Sequence, residues 1–396
     1  MSKIFAVNAG SSSLKFKLFQ MPEERVLTDG VVERIGLEDG IFTIRVNGEK
    51  ISTFLPIKDH QQAVDMLLKA LVEHKIVDKL EEIDACGHRV LHGGEKYADS
   101  AIVTTEVLQD ILDMKDLGPL HMPANYTGIE AFSKALPKIK HVTVYDTSFH
   151  LTMDKSTFLY ALPLEYYEKY HVRRYGFHGT SHKYIAQTYA KISNDGNQNI
   201  ISLHLGNGAS LCAIKNGKCI NTSMGFTPLA GIMMGGRSGD IDPSIIPYLM
   251  EKTGLSAEEI IEVCNKKSGF LGISGVSSDA RDIQKAVDEG NPRAILARKM
   301  YALRVIDYIG SYFVQLGSLD ALIFTAGLGE NDDKVRSEIC ELLEESLGVK
   351  LDNELNASTK GKAGKISAED SKIDVWVIPT DEEVMIARDT CRLLNL

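Results

Sequence analysis

Three glycine- and serine-rich breaks, each entered from a strand-like apolar run, constrain this chain more than any other feature. They read Asn8-Ala-Gly-Ser-Ser-Ser-Leu-Lys15, His204-Leu-Gly-Asn-Gly-Ala-Ser210 and Gly327-Leu-Gly-Glu-Asn331. The first two run straight into a second strand-like stretch (Leu14, Phe16, Leu18; Leu211, Ala213, Ile214). The third is expected to open a helix, with Asn331 as its N-cap ahead of Asp332, Val335 and Ile339. Small residues at a strand end let backbone N–H groups approach an anion, and a helix N-terminus adds its dipole. One such loop is ordinarily just a turn. Three in one chain point to a phosphate cradle built from several loops.

Strand and helix patterns alternate around these breaks, as in an α/β protein. Phe42, Ile44 and Val46 alternate as a strand, and Ala63, Met66, Leu67, Ala70 and Leu71 space as a helix. A strand-like run ends at Tyr145 on Asp146, a second helix follows His178-Gly-Thr-Ser181, and the longest helical pattern runs from Pro292 to Val314. It feeds a strand at Ala321–Phe324, and a last helix starts near Thr380. The first and second glycine segments share one layout, a faint internal repeat that suggests two related halves with a cleft between them. With 396 residues the chain has room for two or three domains.

Charge and cysteine usage narrow the partners. The net charge is -10 and no lysine- or arginine-rich run occurs, which disfavours nucleic acid and anionic membrane surfaces. No apolar run is long enough to span a bilayer, and the first segment turns polar at Asn8, too soon for a signal peptide. The six cysteines show no CxxC pair and no metal spacing, so reduced thiols and a cytoplasmic location are expected. A P-loop is missing, because Leu14 stands at the second glycine position of GxxxxGK[ST], and no GxGxxG follows the first strand.

The remaining polar residues suit phosphoryl chemistry. Arg89 lies in Gly87-His-Arg-Val-Leu-His-Gly-Gly94, and Arg237 in Gly235-Gly-Arg-Ser-Gly-Asp240, a segment too glycine-rich for regular structure. A guanidinium grips a phosphate or carboxylate bidentately; the plainer alternative for each is a loop-anchoring salt bridge. His88/His92 and His178/His182 sit at i,i+4, a zinc spacing on a helix, but neither pair has the glutamate of HExxH and glycines interrupt both. His178 suits an electrostatic role beside a helix N-terminus, or a loop histidine satisfied by backbone. Thr380 and Glu383 fit a capping box, leaving Glu382 for a metal or its bound water. Asp146 ends a strand, where catalytic or metal-anchoring carboxylates occur in α/β folds. Asp279 and Arg281 begin a helix, as first-turn charges or as nucleotide contacts.

In combination these motifs resemble the acetokinase family, within the acetate and sugar kinase/Hsp70/actin superfamily. The resemblance runs end to end: NAGSSSLKFKLF at 8–19, GHRVLHGG at 87–94, GPLHMPAN at 118–125, YDTSFH at 145–150, YGFHGTSH at 175–182, HLGNGAS at 204–210, GGRSGDIDP at 235–243, SSDARD at 277–282, FTAGLGEN at 324–331 and PTDEE at 379–383. It implies an α/β fold of two ribonuclease-H-like, actin-like ATPase domains: residues 1–150 completed by a C-terminal helix at 383–396, and residues 151–382 carrying the nucleotide and a homodimer interface. It implies phosphoryl transfer between ATP and acetate, giving ADP and acetyl phosphate, with Mg2+ or, in its place, Mn2+. The implied metal positions are Asn8 and Glu382. The implied nucleotide positions are Lys15; His204, Leu205, Gly206, Asn207 and Gly208; Asp279, Ala280 and Arg281; and Gly327, Leu328, Gly329, Glu330 and Asn331. Arg89 would bind the carboxylate, with Leu91, Leu120, Phe177 and Pro228 around the methyl group. Asp146 would be the essential acid, and His178 and Arg237 the transition-state stabilisers.

Physical chemistry supports that cast. Transfer between two anions needs positive groups around the moving phosphoryl and in-line alignment. A carboxylate substrate with a pKa near ~4–5 is already ionised, so Asp146 is better suited to holding geometry or metal than to acting as a general base. Two departures stand out: Gly236 replaces the threonine usual before the arginine, which would loosen Arg237, and Leu91 is bulkier than the usual valine, favouring acetate over longer acids. The alternatives are a propionate or other short-chain acyl kinase and an Hsp70- or actin-like nucleotide switch.

Overall fold

The structure, a computed structural model, describes residues 1–119 and 121–396, so Leu120 lies outside the described residues. The chain divides into two compact units, Met1–Phe149 with Asp381–Leu396, and His150–Thr380.

The first unit is built on an eight-stranded sheet: β1 (Ser2–Ala9), β2 (Ser13–Met21), β3 (Arg25–Glu33), β4 (Ile41–Val46), β5 (Glu49–Phe54), β6 (Ala85–Val90), β7 (Ala101–Ile102) and β8 (Lys140–Tyr145), ordered β5-β4-β3-β2-β1-β6-β8-β7. β1, β2 and β3 form an antiparallel meander, whereas β6 runs parallel to β1 and β8 parallel to β6. The central position of β1 follows from its sequence: Ile4, Phe5, Ala6 and Val7 are all buried, the continuous apolar run of a strand covered on both faces. Helices His60–Glu73 and Met122–Ala135 join one core with Phe5, Val7 and Phe132. The last helix, Glu382–Leu394, packs on β1, β2, β6 and β8. A Cβ on Gly87 would come within 2.4 Å of Thr390 Oγ1 and 2.5 Å of Ile386, so the missing side chain lets that helix lie against β6.

The second unit repeats the plan. β9 (Asn199–Leu205), β10 (Ala209–Lys215) and β11 (Lys218–Thr222) form an antiparallel meander, and β12 (Ala321–Thr325) and β14 (Asp374–Val377) run parallel to β9; with β13 (Gly364–Lys365) the order is β11-β10-β9-β12-β14-β13. In both units the third, second, first, fourth and fifth core strands lie side by side, the ribonuclease-H-like arrangement of an actin-like ATPase fold. The two glycine breaks with a shared layout, at 8–15 and 204–210, are the first hairpin turns of the two cores. The helix Pro292–Leu316 starts at an Asn291 cap with proline at its first position and stops at Gly317, whose φ of 81° is left-handed.

Two helix starts differ from the sequence expectation. The third glycine segment is itself a short helix, Ala326–Asn331, and the next helix, Asp333–Leu347, is capped by Asp332, whose side chain accepts from Val335 N; Asn331 instead donates to Gly327 O at 3.0 Å. The last helix is capped by Asp381, which accepts from Val384 N at 3.0 Å, and not by a Thr380–Glu383 box. Thr380 bonds Ser181 and Glu383 pairs with Lys17 at 3.3 Å, because a cation on β2 offers Glu383 more than its own helix end does.

Candidate active site

In the second unit, segments more than a hundred residues apart in sequence close around a cavity of about 860 Å3. Gly206 and Asn207 come from the β9–β10 turn, Asp279, Ala280 and Arg281 from the start of the helix Ala280–Asp288, and Gly327, Leu328 and Asn331 from the third glycine segment. The volume is that of a pocket for a nucleotide-sized ligand. Asp279 caps its helix and grips Arg281 Nε at 3.0 Å, a bond to the guanidinium that holds its carboxyl down at about 2. Two helix N-termini, at Ala280 and Asp333, border the cavity.

Sequence reasoning missed several of its walls. Gly235, Phe270, Ser278, Gln284, Asp332, Asp333, Lys334 and Lys360 also line it. Gly235 carried a readable signal, a glycine beside a predicted anion-binding arginine: a Cβ there would stand 1.9 Å from Asn207 Oδ1 and 2.6 Å from Ser278 O. Lys360, Gln284 and Phe270 lie in unremarkable sequence and arrive by tertiary packing alone.

Other expected nucleotide positions support the pocket without lining it. Leu205 is fully buried in the sheet. Glu330 folds inward, accepting from Ala326 N at 2.8 Å and Thr380 N at 3.1 Å, and so braces Ala326 in its left-handed φ of 62°. Gly329 gives its carbonyl to Arg336 Nη1 at 2.9 Å. Arg336 is fully buried and bonds Asn356 Oδ1, Asn356 O and Thr359 O at 2.7, 2.7 and 2.9 Å, tying the third glycine segment to the turn before Lys360. Lys15 is exposed on β2 opposite Asn8, and lines a first-unit cavity of about 270 Å3.

Beside the β9–β10 turn, His178, Gly208, Pro228 and Arg237 come together. His178 occupies the N-cap of the helix Gly179–Ser193 at a left-handed φ of 56° and stacks on His204 with ring centroids 4.0 Å apart. A Cβ on Gly208 would sit 3.3 Å from Arg237 Nη1 and 3.8 Å from His178 Nε2, so bare backbone borders both side chains. Arg237 donates to Pro228 O at 3.2 Å, and among the described residues no carboxylate pairs with it. Burial presses its pKa below the usual guanidinium value. The expected looseness at Gly236 is absent from the backbone: Ser268 N bonds Gly236 O at 2.9 Å, Met234 N bonds Arg237 O at 3.0 Å and Ser238 N bonds Cys264 O at 2.9 Å. Phe177 is buried, with His150 Nε2 2.9 Å from its carbonyl.

In the first unit Arg89 and Asp146 form a two-pronged pair, Nε to Oδ1 at 2.9 Å and Nη2 to Oδ2 at 2.6 Å. Asp146 is 1% exposed, and its negative charge holds Arg89 firmly protonated against the cost of burial. Glu382 Oε2 lies 3.9 Å from Arg89 Nε. Burial above all, against the downward pull of Arg89 and helped by the charge of Asp146, leaves the Glu382 carboxyl raised to about 7. Leu91 is half-buried and its amide donates to Asn125 Oδ1 at 3.0 Å. Asn8 ends β1. The histidine pairs take other partners: His88 is on a strand and bonds His141 at 3.0 Å, and His178 and His182 share Ser210.

A nucleotide-sized pocket walled by glycine turns and helix starts, on one of two ribonuclease-H-like cores, defines a chain of the actin-like ATPase class. The acetokinase family model matches residues 3–388. The chain is 56% identical to the acetate kinases of Geobacillus sp. (strain WCH70) and of Anoxybacillus flavithermus, each over the full length of both proteins. The crystal structure of Porphyromonas gingivalis acetate kinase superposes with a TM-score of 0.95 at 45% identity, covering all of both chains. A propionate kinase structure from Francisella tularensis gives 0.94 at 39% identity over 99% of this chain and all of that one. The chain belongs to the acetokinase family.

Proposed function

We propose that this chain is an ATP:acetate phosphotransferase, moving the terminal phosphoryl group of ATP reversibly onto acetate to give acetyl phosphate and ADP. One observation supports the reading: a chain that matches acetate kinases from end to end gathers three separated segments, each expected from the resemblance to contact nucleotide, around a single cavity.

The second unit's pocket holds the nucleotide. Arg237 and His178 supply positive charge and hydrogen-bond donors to the transferring group, a role supported by the lack, among the described residues, of a carboxylate partner for Arg237 and by the open backbone of Gly208 beside both. Arg89 binds the substrate carboxylate through the donors that Asp146 leaves over, chiefly Nη1. Asp146 then acts by holding that guanidinium in one orientation. Leu91, Phe177 and Pro228 are the proposed apolar contacts of the acetate methyl group.

Mg2+ belongs to the reading, and the residues fit it: Glu382 is a half-buried carboxylate beside Asp146, and Asn8 adds an amide oxygen, the hard oxygen donors this ion prefers. Bound there, the ion would neutralise phosphate charge during transfer. A homodimer is also proposed. The helix Ile245–Thr253 buries none of its side chains and exposes Ile245, Tyr248 and Met250, apolar surface that a second subunit would cover. Among the described residues no helix is long and apolar enough to cross a membrane, and the six free cysteines suit a reducing cytoplasm.

The test is hydroxamate trapping of acyl phosphate from purified protein with Mg-ATP and acetate, propionate or butyrate in parallel. Strong product with acetate that falls with chain length is expected. ATP hydrolysis without product from any acid would refute it and favour a nucleotide switch.

A further inference from the structure

The i,i+4 histidines of the second unit, which the sequence offers as a metal pair, are joined by a serine. His178 and His182 lie one turn apart at the start of the helix Gly179–Ser193, and the strand pairing Ser210↔His204 brings the Ser210 hydroxyl between them. Ser210 Oγ is 2.9 Å from His178 Nδ1 and 2.9 Å from His182 Nε2, and His182 Nδ1 is 3.0 Å from Ser202 Oγ. Ser202, Ser210 and His182 are all fully buried. A hydroxyl has one hydrogen. Placed between two ring nitrogens, it donates to one and accepts from the other.

We propose that Ser210 and His182 are positioning residues for His178, fixing which of its nitrogens bears hydrogen and aiming its Nε2 edge at the transferring group. Ring orientation in a histidine is set by the bond its far nitrogen makes, and here that bond ends on a second, buried imidazole. Burial, with His150 and His204 as neighbours, keeps His182 well below the usual histidine range, so it stays neutral. The groups facing this chain are His150 at 5.8 Å and His204 at 6.2 Å from the His182 ring, the stacked His204 on His178, and Arg237 across Gly208. A neutral anchor has a function: it orients His178 without adding a charge of its own beside Arg237. The inference rests on the proposed role of His178.

The experiment pairs imidazole 15N spectra of the full chain with steady-state kinetics for Ser210→Ala and Ser210→Thr. In the unsubstituted protein, His178 Nδ1 and His182 Nε2 should be complementary, one protonated and one bare. Ser210→Ala should abolish that fixed pattern and lower kcat about ten- to a hundredfold. KM for ATP and acetate should stay within about threefold, and the low-pH limb of kcat should move. Ser210→Thr, which keeps the hydroxyl, should restore both signals. Unchanged nitrogen shifts and an unchanged pH profile in Ser210→Ala would overturn the proposal. Tautomers lost in Ser210→Ala, in a protein that makes no acyl phosphate, would uphold the bridge while removing the acetate reading.

Discussion

Arg89 and Arg237 show how two similar side chains can be prepared for different work. Arg89 is held on two prongs by a carboxylate that is almost wholly buried, whereas Arg237 is anchored through a carbonyl and keeps its charge for an anion. Arg237→Ala is therefore expected to lower kcat roughly a hundredfold or more with KM changed only a few-fold; near-normal kcat in steady-state assays would remove it from the transition state. Asp146→Asn keeps the shape of the pair and removes its charge. It should lower kcat and alter the Mg2+ dependence together, since Arg89 is held by that carboxylate and Glu382 feels both its negative charge and the Arg89 guanidinium. An unchanged Mg2+ titration with a lost pH limb would instead mark Asp146 as a proton carrier.

At the scale of elements, the glycine-rich turns are rigid parts. Gly235 donates from its N–H to Asn207 O at 3.0 Å and accepts from Leu271 N at 3.0 Å, with no room for a methyl group. Gly235→Ala should raise the KM for ATP at least tenfold while far-ultraviolet circular dichroism stays unchanged; an unaltered KM would show that the turn can yield. The strand pairing of β6 with β8 buries a neutral couple, His88 and His141, both held below the usual 6.5 by burial. Their folded-state pKa is depressed, so the unfolded chain takes up protons first as pH falls. Stability from this couple is intact above about 6.5 and is lost on acidification below it. Urea midpoints measured between pH 7.5 and 5.5 should fall, and fall less in His141→Phe.

Strand–turn–strand breaks were readable at this scale because period-two apolar runs and small residues act locally. Asp381 and Asp332 are not legible as caps, since Thr380 and Asn331 have equally good cap chemistry; Thr380 turns to a tertiary partner, Ser181, and Asn331 to Gly327 O within its own short helix. Glu330 and Arg336 show the same limit: a charged residue turned inward has no local signature.

For the whole molecule, the chain's last segment belongs to the unit its first segment begins. Val384, Met385 and Ile386 are buried against the first sheet, and at roughly 2 kcal/mol for each large apolar side chain their loss rivals much of an ordinary domain's stability of about 5–15 kcal/mol. A chain ending at Thr380 should give an insoluble or protease-sensitive first unit, read by limited proteolysis; a resistant residue 1–149 fragment would contradict this. The end-to-end plan was legible because the same hairpin opens both cores, whereas Phe270, Gln284 and Lys360 needed the folded chain to become neighbours. The closing helix also orders events on the ribosome. The N-terminal strands emerge first yet wait for residues 382–394 before the part of their sheet under the last helix is covered, so the second unit can be finished while the first still stands partly open. A nascent chain of this protein is thus exposed longest at its oldest end, where a chaperone would have most to shield.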